Sequence, residues 1–253
     1  MSKKKFINVI TGLGILILLW ILAVSSSKSG NTVIPSPKDV VQAFKELSEG
    51  GVLFKYIGIS LYRFFAGYIS SVIVAIFLGL IMGWYTKIWD IVDPIVQVLR
   101  PISPTAWFPF IVIAFGIGNL PAIVIIFIAG FFPVLLSTVS AVKKLDKTYL
   151  KVAGNFEIKG INLMTKIVIP AIFPYIANAM HIALGTAWIF LVAGEMVGAQ
   201  SGLGYLIIDA RNNLRTDMLL AGIILIGVIG LILDKAIGRV EKFISLKWGK
   251  VTE

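Results

Sequence analysis

The chain has no cysteine and a single histidine in 253 residues. Disulfides, thiol nucleophiles and cysteine-ligated metal centres are therefore excluded. His181 stands alone in an apolar stretch with no carboxylate beside it in sequence. It is read as a helix-packing or pore-lining residue, and no metal site is expected. No G-x-x-x-x-G-K-[ST] loop occurs, so the chain does not hold ATP in the P-loop manner, and neither G-x-S-x-G nor H-E-x-x-H is present. No catalytic residue and no cofactor is expected, and enzyme activity has no support.

Charge is also scarce. Asp, Glu, Lys and Arg make up 14% of the chain against 58% hydrophobic residues, and the mean hydropathy is +0.93. A soluble domain of this size keeps a mostly polar skin and cannot hide so much apolar surface. Five stretches, 6–27, 66–86, 101–142, 167–194 and 218–233, contain no Asp, Glu, Lys or Arg at all. A crossing needs about 20 apolar residues, so 101–142 is long enough for two, turning at Gly116–Pro121. The expected fold class is an all-α integral membrane protein. Its six helices lie roughly at 6–27, 64–86, 101–117, 121–142, 172–195 and 218–237, within one domain spanning 1–253.

The charge that remains is lopsided, with 23 Lys and Arg against 13 Asp and Glu. The basic residues bunch at 3–5, 143–166 and 235–250, beside apolar runs. That is the positive-inside pattern; with no recognition motif present, no nucleic-acid partner is expected. Six spans with both termini inside put all three clusters on the cytoplasmic side. Ala23-Val24-Ser25 would pass as a signal-peptidase site, but the apolar run before it is long for a signal peptide. An uncleaved first helix is the better reading.

Local patterns add detail. Ser36-Pro37-Lys38-Asp39 carries a cap, a first-turn proline and a carboxylate three residues after the cap. With Val40, Phe44 and Leu47 on one face, it predicts a short amphipathic helix on the outer membrane surface over about 37–49. Gly67, Ser71, Ala75, Gly79 and Gly83 recur every fourth residue, a face that lets another helix approach closely; packing within the chain is expected there. Pro101, Pro104 and Pro109 interrupt the third span, and irregular backbone at membrane depth survives only against protein or a wet cavity. Pro101, Ser103 and Trp107 are therefore candidate pathway residues. Glu195 lies 21 residues beyond Pro174, roughly 30 Å along a helix. It is expected at the outer interface, solvated or in contact with a transported solute. With the helix centres otherwise free of charge, ion or proton coupling lacks its usual embedded group, which points to an energy source outside the chain.

The polar island 151–170, KVAGNFEIKGINLMTKIVIP, interrupts the apolar runs. Leu150, Phe156, Ile158, Ile161 and Met164 are apolar knobs on a lysine-flanked element over about 149–165. Such a helix either seats in a groove on a soluble partner or lies on lipid headgroups. The island resembles the signature of binding-protein-dependent ABC importer permeases, written E-A-A, three residues, G, and a spacer to I-x-L-P. Lys151-Val152-Ala153, Glu157 and Val168-Ile169-Pro170 hold the matching positions. Ile34-Pro35-Ser36-Pro37, Arg100-Pro101-Ile102-Ser103-Pro104, Phe115-Gly116-Ile117-Gly118, Phe131-Phe132-Pro133 and Ser201-Gly202-Leu203-Gly204-Tyr205 are similar to the nitrate/sulfonate/taurine branch.

The resemblance implies a type I importer permease fold in a bacterial or archaeal plasma membrane. It implies cytoplasmic ABC ATPase subunits, an extracytoplasmic substrate-binding protein, membrane lipid and a second copy of the chain as partners. It makes Leu150, Lys151, Val152, Ala153, Gly154, Phe156, Glu157, Ile158, Gly160 and Pro170 the ATPase-coupling residues. The implied cargo is a small anion such as an aliphatic sulfonate, taurine or nitrate, with a pyrimidine-like vitamin precursor as the alternative. A self-contained secondary transporter or channel is the competing class. The chain departs from the family at Lys151, where the family has Glu, and at Glu157, where it has Gly. Because Gly allows a bend at no steric cost, the bend is expected to shift to Gly154 or Gly160.

Overall fold

The charge-free runs fold as helices, since a backbone in lipid must satisfy its own hydrogen bonds. A computed structural model describes residues 3–26 and 34–247. The helices are α1 (Lys3–Ser26), α2 (Pro37–Glu49), α3 (Val52–Trp84), α4 (Thr86–Leu99), α5 (Phe108–Phe115), α6 (Asn119–Lys143), α7 (Lys147–Asn155), α8 (Gly160–Leu163), α9 (Ile169–Gly198), α10 (Leu203–Asn212) and α11 (Thr216–Lys247). No strand occurs among the described residues.

Among the described residues, four helices are long and apolar enough to cross a membrane: Val52–Trp84, Asn119–Lys143, Gly160–Gly198 and Thr216–Ile244. The third expected span takes a different form. A single 3-10 turn, Pro104–Trp107, joins α4 to α5, and the pair is bent by 84°. Helix α5 has eight residues, about 12 Å of rise, well short of a bilayer. Pro101 and Pro104 explain the break, because each lacks an amide donor and disfavours helix in the residue before it.

Helices α3, α6 and α9 form the core, with α6 in the middle. The small-residue face of α3 is what brings α6 so close. A Cβ added at Gly67 would stand 2.7 Å from Ile126 Cβ, one at Gly79 2.7 Å from Thr138 Cβ, and one at Gly83 2.7 Å from Val142 Cβ. The expectation of packing within the chain is met. Phe64, Val72 and Ala75 of α3, Val134 and Leu135 of α6, and Ala183 and Leu191 of α9 share one buried cluster. Lipid tails are as apolar as these side chains, so close packing rather than water exclusion holds the three helices together.

A short capped helix forms at Pro37–Glu49, and its apolar face packs on other helices of the chain. Ser36 accepts from the Asp39 amide, and Asp39 Oδ2 accepts from the Ser36 amide at 2.9 Å, closing a reciprocal capping box. Val40, Ala43 and Leu47 are buried against Leu206 and Ala221. Arg215 ties this end down by reaching Glu46 and Asp217, each at 2.8 Å.

Candidate functional site

Asp146 starts α7 by accepting from the Thr148 amide at 2.8 Å, and those bonds hold its carboxyl below the ordinary range. The helix ends in a Schellman turn. The Ile158 amide donates to Ala153 O at 2.9 Å and the Glu157 amide to Gly154 O at 3.1 Å. This places Glu157 at the left-handed position of the turn, with φ 54°, where glycine is usual. The bend therefore stays at Glu157 and does not move to Gly154, which remains inside α7. Gly160, φ 61°, adds a second left-handed residue at the start of α8. Two hydrogen bonds hold the geometry, and a side chain at Glu157 is tolerated at a cost of about 1 kcal/mol.

That double turn sets which knobs project. Phe156 is 74% exposed and Ile161 79%. Leu150, Lys151, Val152 and Glu157 are exposed with them, whereas Ala153 is buried and Ile158, Met164 and Pro170 are half-buried. A single π-helical turn, Met164–Val168, leads from α8 into α9. The outcome is an apolar rim bordered by Lys147, Lys151 and Lys159 beyond the ends of the long helices.

The three residues expected near a pathway lie together at the α4–α5 bend. Pro101 and Ser103 are exposed, and Trp107 is half-buried against Phe108, Ile111 and Ile125. Ser103 shares a hydrogen bond with Thr105 at 2.8 Å.

Glu195 is elsewhere, and the expectation of a solvated carboxylate is overturned. It is fully buried. Arg63, also buried, approaches it at 2.7 Å. The same guanidinium donates to Ser201 O at 2.6 Å, to Ser201 Oγ at 3.0 Å and to Asn119 Oδ1 at 2.8 Å. Ser60 Oγ sits 2.8 Å from both carboxylate oxygens and accepts from the Leu203 amide at 2.8 Å. The Gly204 amide donates to Glu195 Oε2 at 2.9 Å. Glu195 thus caps α10, setting negative charge against the positive end of its dipole. One knot of charge joins α3, α6, α9 and α10.

This knot explains the Ser201-Gly202-Leu203-Gly204-Tyr205 motif. Gly202 has φ 106°, and a Cβ there would overlap the Glu195 carboxylate. At Gly204 a Cβ would meet Val192 O at 2.5 Å and Glu195 Cβ at 2.7 Å. Among the described residues, the other buried polar side chains, Ser71 and Thr138, bond carbonyls of their own helices, Tyr68 O and Val134 O. Sequence reading missed Arg63 and Ser60 because it began the second span at 64, whereas α3 begins at Val52. A serine and an arginine three apart inside one helix was the available signal.

His181 packs between helices, one of its two sequence readings, through carboxylates that the fold brings to it. Its Nε2 lies 2.8 Å from Asp234 and its Nδ1 3.2 Å from Glu241. The contact pins α9 to α11. Among the described residues no cluster suited to a metal ion occurs.

Residues 72–245 match the family model described as binding-protein-dependent transport system inner membrane component. The chain belongs to this family. It is 32% identical over 234 residues to SsuC of Bacillus subtilis (strain 168), provisionally named an aliphatic sulfonates transport permease, covering 92% of this chain and 84% of that one. It is 34% identical over 186 residues to the nitrate import permease protein NrtB of Leptolyngbya laminosa, covering 74% and 67%. A chain of the MetNI methionine ABC transporter, solved in inward-facing conformations, superposes with a TM-score of 0.54 at 19% identity, covering 73% of this chain and 96% of that one. That likeness establishes the type I importer fold. The protein is thus an ABC transporter permease of the nitrate/sulfonate/taurine branch, a membrane component and not an enzyme. The stretch that resembles the permease signature runs from α7 to the start of α9, with the Glu157 turn near its middle.

Proposed function

We propose that this permease moves a small oxyanion, an aliphatic sulfonate or nitrate, into the cytoplasm, driven by ATP hydrolysed on separate subunits. The observation that carries the reading is the α7 rim. Exposed Phe156, Val152 and Ile161 stand beyond the membrane helices on a hydrogen-bonded turn, in a chain with no ATP-binding loop of its own. A soluble partner that closes on this rim would push α9 directly, because α8 and the π-helical turn run into it without a linker.

In this reading the α7 end faces the cytoplasm with both termini, as the lysine clusters require. Residue ranges 6–27, 64–86, 121–142, 172–195 and 218–237 cross the membrane, and the bent α4–α5 pair supplies the third crossing. Two copies enclose the pathway, with Pro101, Ser103 and Trp107 on its wall. An extracytoplasmic binding protein delivers the solute to the Glu195 end, where Glu195 positions α10 and does not touch cargo. Shift between inward- and outward-open states follows from the ATPase pair binding the two states differently.

The test is uptake of radiolabelled taurine and nitrate into proteoliposomes. The permease alone should give none. Adding the ATPase, ATP and the binding protein should start uptake of one of the two. Uptake by the permease alone would identify a secondary transporter or channel and overturn the reading.

A further inference from the structure

Three cations near the α7 end have no carboxylate partner. Lys143 and Lys144 end α6, Arg100 follows α4, and all three are exposed. None takes part in an ion pair among the described residues. They surround a cavity of about 350 Å³ that also includes Trp89 and Ser140. The Lys143 ammonium lies over the Trp89 ring, 5.5 Å from its centre. Ser140 and Lys144 also line the adjoining cavity of about 630 Å³, which extends to Tyr149 and Tyr175. The two cavities share Ser140 and Lys144 and together line a groove between Arg100 and α7.

Lysines at helix ends are ordinarily explained by the helix dipole and by snorkelling to headgroups. Neither explains why Lys143 is held over a buried ring, or why a guanidinium from a different helix meets it across a cavity. Three donors of one sign and a hydroxyl around a pocket favour a ligand with several acceptor oxygens. The first cavity has no acidic side chain in its lining; the second has one, Asp146, already engaged in capping α7.

We propose that the groove between Arg100, Lys143, Lys144 and Ser140 binds an oxyanion, a phosphate or sulfonate group. The group can reach it in two ways, as the headgroup of an anionic lipid or as a solute on its way out. Basic pockets between helices on the cytoplasmic side hold lipid headgroups in this manner. Both routes rest on the reading of α7 as cytoplasmic, and the solute route also on the cargo being an anion; the cluster of cations around the cavity rests on neither.

The test uses the assembled permease–ATPase complex in nanodiscs of phosphatidylcholine. One arm adds phosphatidylglycerol to the nanodisc lipid and measures how much of it is retained on release into the mass spectrometer. The other titrates ethanesulfonate and follows the tryptophan emission that Trp89→Phe removes. In at least one arm, Arg100→Gln with Lys143→Gln and Lys144→Gln should weaken binding about a hundredfold, at roughly fivefold per cation. Lys143→Arg with Lys144→Arg should retain it. Loss in the lipid arm assigns a headgroup site, and loss in the solute arm an exit site. A monodisperse triple variant that binds both probes like the wild type overturns the proposal. If that complex still imports an anion, the transport reading stands without the groove.

Discussion

Replacing Arg63 by Met removes a buried charge while keeping the apolar stem. Four hydrogen bonds disappear, to Glu195, to two atoms of Ser201 and to Asn119. Glu195 keeps Ser60 and the Gly204 amide but becomes a buried carboxylate with no counter-charge. Breaking one side of such a pair costs about 3–5 kcal/mol, more than the intact pair is worth, because the remaining charge cannot reach water. For a chain of this length that amounts to a fall in thermal midpoint of roughly 6–20 °C. Removing the second charge discriminates this cause from lost packing. Glu195→Gln in the Arg63→Met background keeps an acceptor for the Gly204 amide and abolishes the stranded charge, so it should recover at least half the loss. Thermal unfolding of purified protein in detergent, read by fluorescence-detected size exclusion, compares the four proteins of this double-mutant cycle. An Arg63→Met midpoint within 1 °C of wild type, or a double variant worse than the sum of its parts, refutes the picture of a paired, desolvated knot.

Other outcomes follow from the same contacts. Gly79→Leu should separate α3 from α6, since even a Cβ meets Thr138 at 2.7 Å; overpacking of this kind costs about 1–3 kcal/mol, readable as a lower midpoint. Glu157→Gly should raise the midpoint, worth about 1 kcal/mol, without altering ATPase capture, because the turn already has the glycine conformation. The Asp39 carboxyl is held below its ordinary range by Ser36. Its contribution to α2 is therefore full above the unfolded carboxylate range and is lost as pH falls through the folded value. A pH series of proteolysis near Glu49 should show earlier release of α2 for Asp39→Asn at neutral pH, and convergence with wild type in acid.

Much of this architecture could be read before any coordinates. The capping box at Ser36 and Asp39, the glycine face of α3 and the length of the charge-free runs are local codes, each specified by neighbours a few residues apart. The island at α7 was legible for the same reason. What stayed hidden needed contacts across the fold. Counting along one helix places Glu195 at the interface, whereas Arg63, 132 residues away in sequence, supplies the counter-charge for its burial, with Ser60 and the Gly204 amide beside it. His181 looked isolated until α11 brought Asp234 and Glu241 to it. The Glu157 turn was misjudged because residue preference suggested glycine, whereas two backbone hydrogen bonds decide the conformation.

The claim on which the rest depends is that an external ATPase grips the permease at α7. Phe156→Asp with Ile161→Asp places two charges at exposed positions of the rim while leaving the bundle untouched. Capture of the cognate ATPase by affinity-tagged permease measures the grip directly, with the thermal midpoint as a check on folding. The account predicts loss of capture at an unchanged midpoint. Full capture by a folded double variant would contradict it.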